Sequence, residues 1–198
     1  MESKSLSNEL ITAFDTEPEM PSTSAFVQQR YKIKPEAFKA VFDGFTSRLI
    51  NNTSTELRIF AIDGSDIQIA TNPNDATSYF PGTNGQKPYN LLHLNALYDL
   101  NNHIYTDAII QGGMDKNEHI ALQEMVDNSD ILKALVIADR GYESFNSMAH
   151  IQEKGWFFLI RVKDGINGIK NGLDLPATDC FDADICLKLT RKQTNEVK

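Results

Sequence analysis

Two short apolar runs each end in an aspartate, and together they restrict the folds open to this chain. The first is Ile59-Phe60-Ala61-Ile62 leading into Asp63, within Arg58-Ile-Phe-Ala-Ile-Asp-Gly-Ser-Asp66. The second is Ala134-Leu135-Val136-Ile137-Ala138 leading into Asp139, followed by Arg140-Gly141-Tyr142. Runs this short, apolar throughout and bounded by turn residues, read as buried strands of a parallel or mixed sheet. An ionised carboxylate at the end of such a strand is costly to bury alone, and needs water, a cation or a donor. Two of them delivered to one sheet edge make a candidate divalent-metal site.

The elements around these runs fall into a definite order. Residues 1–21, with Pro18, Pro21 and a weak stripe of Leu6, Leu10 and Phe14, predict a poorly ordered lead or a broken helix. Ser24 is placed to cap a short helix through about Tyr31. Pro35 suits the first position of a second helix, where its missing N–H costs nothing. Phe38, Val41, Phe42, Phe45 and Leu49 recur there at helical spacing and predict a buried face. After a turn at Asn51-Asn52 the pattern changes to strands. The Asp63 strand continues through Ile67 and Ile69, a loop covers 71–88, and Tyr89–Leu100 pairs with His103–Ile110 across an Asn101-Asn102 turn.

Asp115 and Glu118 form an Asp-x-x-Glu capping arrangement that opens a helix through about Val126, with Ala121, Leu122, Met125 and Val126 inward. The Asp139 strand follows. Ser144 then caps a helix with Phe145, Met148, Ala149 and Ile151 inward and Gly155 at its end, before a last apolar strand over Trp156–Val162. Three strands followed by alternating helices and strands predict a mixed-sheet α/β fold. In the ribonuclease-H-like arrangement of this order the first and fourth strands lie side by side and parallel. Ligands of open α/β sheets bind beyond strand C-termini, and Asp63 and Asp139 would meet there.

Three regions result: a helical segment over 1–55, the α/β core over 56–163, and a polar stretch over 164–198. In the last, Ile185, Leu187 and Leu189 alternate as in the opening of a β-rich segment.

The net charge of −8 is concentrated in the core: residues 51–150 hold 5 Lys and Arg against 13 Asp and Glu. Such an acidic centre repels nucleic acid unless cations intervene. Arg30, Lys32, Lys34 and Lys39 are basic residues outside it, suited to a solvated face or to contact with DNA. Gly82-Thr-Asn-Gly85-Gln-Lys87 is too short for a phosphate-binding Walker loop, which argues against a nucleotide site. No apolar run approaches the ~20 residues of a membrane span. The start, Met-Glu-Ser-Lys-Ser-Leu, lacks a secretory signal, and a cytoplasmic protein is expected. Cys180 and Cys186 have no histidine at metal-ligand spacing and read as free thiols. His93, His103, His119 and His150 are scattered over two strands and two helices, and read as strand or surface residues.

Phe60-Ala-Ile-Asp-Gly-Ser65, Val136-Ile-Ala-Asp-Arg-Gly-Tyr-Glu-Ser144 and Phe158-Leu-Ile-Arg-Val-Lys163 together resemble the DDE-type transposases of bacterial insertion sequences. The likeness extends through Asn90–Asp99 and back to Phe26–Phe45, and covers about residues 20–165. It implies a ribonuclease-H-like core that holds two divalent cations, Mg²⁺ or Mn²⁺, on two aspartates and a glutamate, with Asp63 and Asp139 matching the aspartates. It implies metal-dependent phosphodiester hydrolysis and strand transfer, acting on inverted-repeat ends and target DNA. A homodimeric synaptic complex and a nucleoid-associated location in a bacterial cytoplasm go with it.

The family carries its glutamate on a helix beyond a β-rich insertion, and the resemblance implies that this chain stops inside that insertion. The fold would then be incomplete at its C-terminus, the chain inactive alone, and an apolar patch left exposed on one sheet face. Glu143, Glu153 and Glu196 are not assigned the glutamate's role, since the first two suit solvated or capping positions and Glu196 lies in a polar tail.

Other readings compete. Asp63 suits a turn before Gly64, and Asp139 a structural role. Arg140 suits a phosphate contact or neutralisation of Asp139. Tyr142 reads as a packing residue, and Asp66 as an exposed strand position before a supporting one. A non-catalytic remnant or regulator that binds DNA ends or intact transposase is the main alternative function. A metal-dependent phosphohydrolase using Asp63 and Asp66 lacks the Asp-x-Asp spacing of aspartyl-phosphate enzymes.

Overall fold

The computed structural model describes residues 5–15, 18–49, 57–83, 85–165, 168–171, 173–178 and 180–185. The expected Asn51-Asn52 turn, the Leu187 and Leu189 alternation, Cys186 and Glu196 lie outside the described residues. Two compact units divide the chain, Met1–Arg48 and Leu49–Lys198.

The first unit is helical. Ser5 caps α1 (Leu6–Phe14), an intact helix over part of the segment expected to be broken, and it buries Leu10. Ser22, two residues before the expected Ser24, accepts a hydrogen bond from Ala25 N–H and caps α2 (Thr23–Arg30). Pro35 directly precedes α3 (Glu36–Leu49). The apolar stripe of α3 is not the buried face its spacing predicts. Phe38, Val41 and Phe45 are each more than half exposed, and Thr46 is its one buried residue. Periodicity reports a preference for burial, and burial needs a neighbouring surface to pack on.

The second unit is built on the two apolar runs. β1 (Arg58–Ile69) pairs in parallel with β5 (Ala134–Ala138), matching Phe60 to Val136 and Ala61 to Ile137. Parallel pairing needs a crossover. It is supplied by β3 (Tyr89–Asp99), β4 (Ile104–Gly112) and α4 (Glu118–Asn128). β3 runs antiparallel to β1 along most of its length, and β4 folds back on β3 through a turn in which His103 takes a left-handed φ of 56°. A two-residue strand, β2 (Tyr79–Phe80), pairs with the start of β3 inside the stretch expected to be loop.

After β5, α5 (Phe145–Glu153) returns the chain to β6 (Phe157–Ile160), which lies parallel to β5. Ser144 caps α5 as expected, through Ser147 N–H. Gly155, at φ 80°, ends it in a conformation that costs glycine little. The sheet order is β2-β3-β1-β5-β6, with β4 also on β3. This is the mixed α/β sheet expected of a ribonuclease-H-like core, with its first and fourth long strands adjacent and parallel. Among the described residues of 164–185 no strand forms. No described helix is long and apolar enough to cross a membrane.

The core fills the side of the sheet covered by α4 and α5. Phe60, Ile62, Leu97, Ala134, Val136 and Ala138 meet Leu122, Met125, Val126 and Ile151 there. The Phe60 ring lies 5.5 Å from that of Trp156, whose indole N–H donates to Ile131 O at 2.8 Å. Side chains alternate across a strand. The residues between these, Ile59, Ala61, Leu135 and Ile137, therefore belong to the opposite face, as do Phe157 and Leu159 of β6. Both of these last two are more than half exposed.

Candidate active site at the ends of two parallel strands

Asp63 follows Ile62 in β1, and Asp139 follows Ala138, the last residue of β5. The last paired couple before them is Ala61 with Ile137, so each aspartate stands two residues beyond that couple on adjacent parallel chains. Alternation puts both on the face opposite Phe60 and Val136, and both are exposed. Far apart in the sequence, the two carboxylates are thus delivered to one sheet edge. Each already accepts a local hydrogen bond. Asp63 Oδ1 accepts from Gly64 N–H at 2.9 Å, and Asp139 Oδ1 from Gly141 N–H at 2.7 Å.

The second of these bonds caps a single 3₁₀ turn, Arg140–Tyr142. Arg140 is exposed on it and makes no ion pair with Asp139 among the described residues. Tyr142 turns inward. Its ring is 1% exposed and packs in the core, as a packing residue should. Its hydroxyl, however, is buried without a hydrogen-bond partner. Burial pushes its pKa up, and the nearby carboxylates of Glu118, Asp63 and Asp139 push it further, so the phenol stays protonated. A lone buried donor costs on the order of 1–3 kcal/mol. This one lies in the field of three acids.

Glu118 is the member that local sequence misassigned. The expected capping pair of Asp115 and Glu118 does not form. Asn117 is the cap, its side chain accepting from Ile120 N–H at 3.1 Å, and this leaves Glu118 in the first helical position. Its carboxylate turns back toward the sheet, where Oε1 lies 3.1 Å from His93 Nε2. The pair is close but not aligned as a hydrogen bond, because Nε2 remains without a partner by geometry.

His93 is buried rather than a surface residue, and Asp66 holds it through Nδ1 at 2.6 Å. Asp66 is an exposed strand position, as expected, and from there it also supports His93. Its hydrogen bond to His93, followed by that from Lys116, holds its carboxyl below the usual range. Of the other histidines, His103 lies in the β3–β4 turn, His119 near Ser147 Oγ at 3.3 Å and edge-on to the Tyr142 ring, and His150 against Asp127 at 3.0 Å.

Two glycines show how tightly this group is packed. A Cβ on Gly64 would fall 2.6 Å from His93 Nε2 and 2.8 Å from Glu118 Oε1. One on Gly141 would fall 2.9 Å from Asp139 Oδ1 and 3.4 Å from Glu118 Oε2. Glu118 thus spans the gap between the residue after Asp63 and the turn after Asp139. Glu143, expected to be solvated or capping, is instead buried and accepts from Lys163 N–H. Among the described residues, no three histidine, cysteine or acidic side chains close into a ready-made metal cage.

The arrangement of strands agrees with comparison to known families. The family model described as the transposase DDE domain matches residues 54–198. No curated protein and no solved structure matches the chain. The matched stretch holds the whole mixed sheet and both Asp63 and Asp139, and it spans well over half of the sequence. On that basis the chain belongs to the DDE transposase domain family.

Proposed function

We propose that this chain carries the catalytic core of an insertion-sequence transposase, in which Asp63 and Asp139 hold divalent cations for phosphodiester hydrolysis and strand transfer. The family acts on DNA and uses divalent metal ions. The observation that carries the reading is the pair of exposed carboxylates on adjacent parallel strands, beyond their last matched couple.

Carboxylate oxygens are the hard donors that Mg²⁺ and Mn²⁺ take, and a neighbouring hydroxyl kept as a donor suits the same setting. The donor chemistry therefore fits, although the side chains stand as neighbours rather than a closed cage. When bound, the cations supply an acidified water or 3′-hydroxyl and neutralise the departing oxygen in an in-line displacement at phosphorus.

The chain's own residues do the rest. Asp63 and Asp139 present negative charge at a rigid sheet edge. Tyr142 keeps its proton and can donate it in a hydrogen bond. Arg140, exposed beside Asp139, meets a backbone phosphate. Arg30, Lys32, Lys34 and Lys39, all exposed in the helical unit, offer further phosphate contacts on inverted-repeat ends or target DNA.

Calorimetric titration of the full chain with Mn²⁺ tests the site. Asp63→Ala and Asp139→Ala should each weaken binding by more than about tenfold, the loss found even for outer-sphere partners of metals. Binding unchanged in both variants would refute the assignment.

A further inference from the structure

We infer that His93 is a positioning residue for Asp63: from β3 its imidazole fills the place of the missing side chain at Gly64 and so fixes the backbone that carries the Asp63 carboxylate. The inference rests on the reading above and deepens it by a residue that holds no metal itself.

Gly64 lies inside β1. A glycine within a strand weakens it, and often marks a bulge or a point where another group approaches closely. Gly64 takes no left-handed φ, so backbone conformation does not call for glycine there. Its surroundings do. A Cβ at this position would stand 2.6 Å from His93 Nε2 and 2.9 Å from Cε1 of the same ring. Glu118 Oε1 is also close, at 2.8 Å, but it ends a flexible side chain that is 34% exposed and can swing aside. The ring cannot yield in the same way. It is buried, its Nδ1 donates to Asp66 Oδ1 at 2.6 Å, and Lys116 holds that carboxylate in turn.

Strand register makes the contact a diagonal one. Asp66 stands opposite His93, and Gly64 opposite Asn95, so Gly64 and Asp66 share the α4 face of β1 and the imidazole bridges them. Alternation puts Asp63 on the other face. His93 therefore acts through the Gly64 peptide, whose N–H donates to Asp63 Oδ1 at 2.9 Å. With the ring seated behind it, Gly64 cannot move toward α4 and take Asp63 with it. A histidine serving the core alone would be expected to use both ring nitrogens. Here Nε2 is buried with no hydrogen-bond partner, so the far half of the ring is placed by the room at Gly64 and not by a second bond.

The test uses the full chain and Mn²⁺ alone, counting free ion by electron paramagnetic resonance well below the melting temperature of each variant. His93→Asn retains a donor for Asp66 but removes the far half of the ring. It should weaken Mn²⁺ binding about tenfold, as loss of an outer-sphere partner does. Gly64→Ala should also weaken it, because the methyl group meets the ring and displaces the strand. The two changes together should bind more tightly than either alone, since the methyl group takes up the space that the shorter side chain leaves. A purely structural histidine would lower the melting temperature, leave the affinity of the folded chain unchanged, and show no such rescue.

Wild-type affinity in His93→Asn, beside weakened binding in Asp63→Ala, would overturn the inference and leave the proposed function standing. Unchanged binding in Asp63→Ala and Asp139→Ala as well would overturn both. Should His93→Asn fail to fold, Gly64→Ala must still lower affinity, and wild-type binding there would refute the inference.

Discussion

At the residue scale the most demanding group is Asp99, fully buried at the end of β3. Burial raises the pKa of its carboxyl. Donors from Asn102, from Arg58 at 2.8 Å and from Asn101 N–H outweigh that, and the net pKa lies below the ordinary value. A carboxyl depressed in the folded state contributes stability that is fully present above its unfolded pKa of about 3.9, and loses it as pH falls through the folded value. Asp99→Asn should therefore cost about 2 kcal/mol at pH 7, in the range of hydrogen bonds to charged groups. Urea unfolding at pH 7 and at pH 3 checks this: the gap between wild type and variant should narrow at the lower pH. A gap of the same size at both would mean that the charge is not what stabilises the turn.

At the scale of elements, the entry to α4 shows how one residue shifts the whole reading. Asn117 receives two roles at once. Its side chain caps Ile120 N–H, while its own N–H donates to Gln111 Oε1 at 2.9 Å and ties the helix start to β4. Asn117→Ala should destabilise the chain by about 1 kcal/mol, as loss of an N-cap does. Asp115→Ala, in an exposed position outside the cap, should stay within about 0.5 kcal/mol. Chemical denaturation of the two variants distinguishes them, and equal losses would restore the capping pair read from sequence. α3 teaches the converse lesson. Its stripe of Phe38, Val41 and Phe45 has the correct period for a buried face, yet these side chains are largely exposed.

At the scale of the molecule, one sheet face is packed by α4 and α5, while the other presents Phe157 and Leu159 on β6 at the end of the sheet order. An exposed apolar edge strand is a template for pairing with another chain. Replacing both residues by threonine should lower concentration-dependent light scattering. It should move the melting free energy by less than about 1 kcal/mol, since neither side chain is buried. Scattering that is unchanged would show that association, if present, uses another surface.

Much of the fold was legible along the chain because its signals are local. The runs ending in Asp63 and Asp139 are too short and too apolar to be anything but inner strands. Ser144 and Gly155 mark the limits of a helix by chemistry that operates within one turn. Element order followed, and the adjacency of β1 and β5 came with the ribonuclease-H-like arrangement that this order resembles.

The neighbourhood of the two aspartates was not legible in the same way. Glu118, His93, Asp66 and Tyr142 come from four different elements, and none has a spacing that relates it to the others. His93 looked like a strand residue because periodicity along one strand is blind to what faces it from the next. Glu118 looked like a cap because a carboxylate three residues after Asp115 satisfies that pattern. The one available sign was glycine at positions 64 and 141, beside each aspartate, where the absence of a side chain leaves room for another. The sequence by itself determined that two apolar strand runs form and that an acid follows each of them. Only the tertiary structure decided what surrounds those acids, because non-local contacts are set by packing and strand register rather than by any local preference.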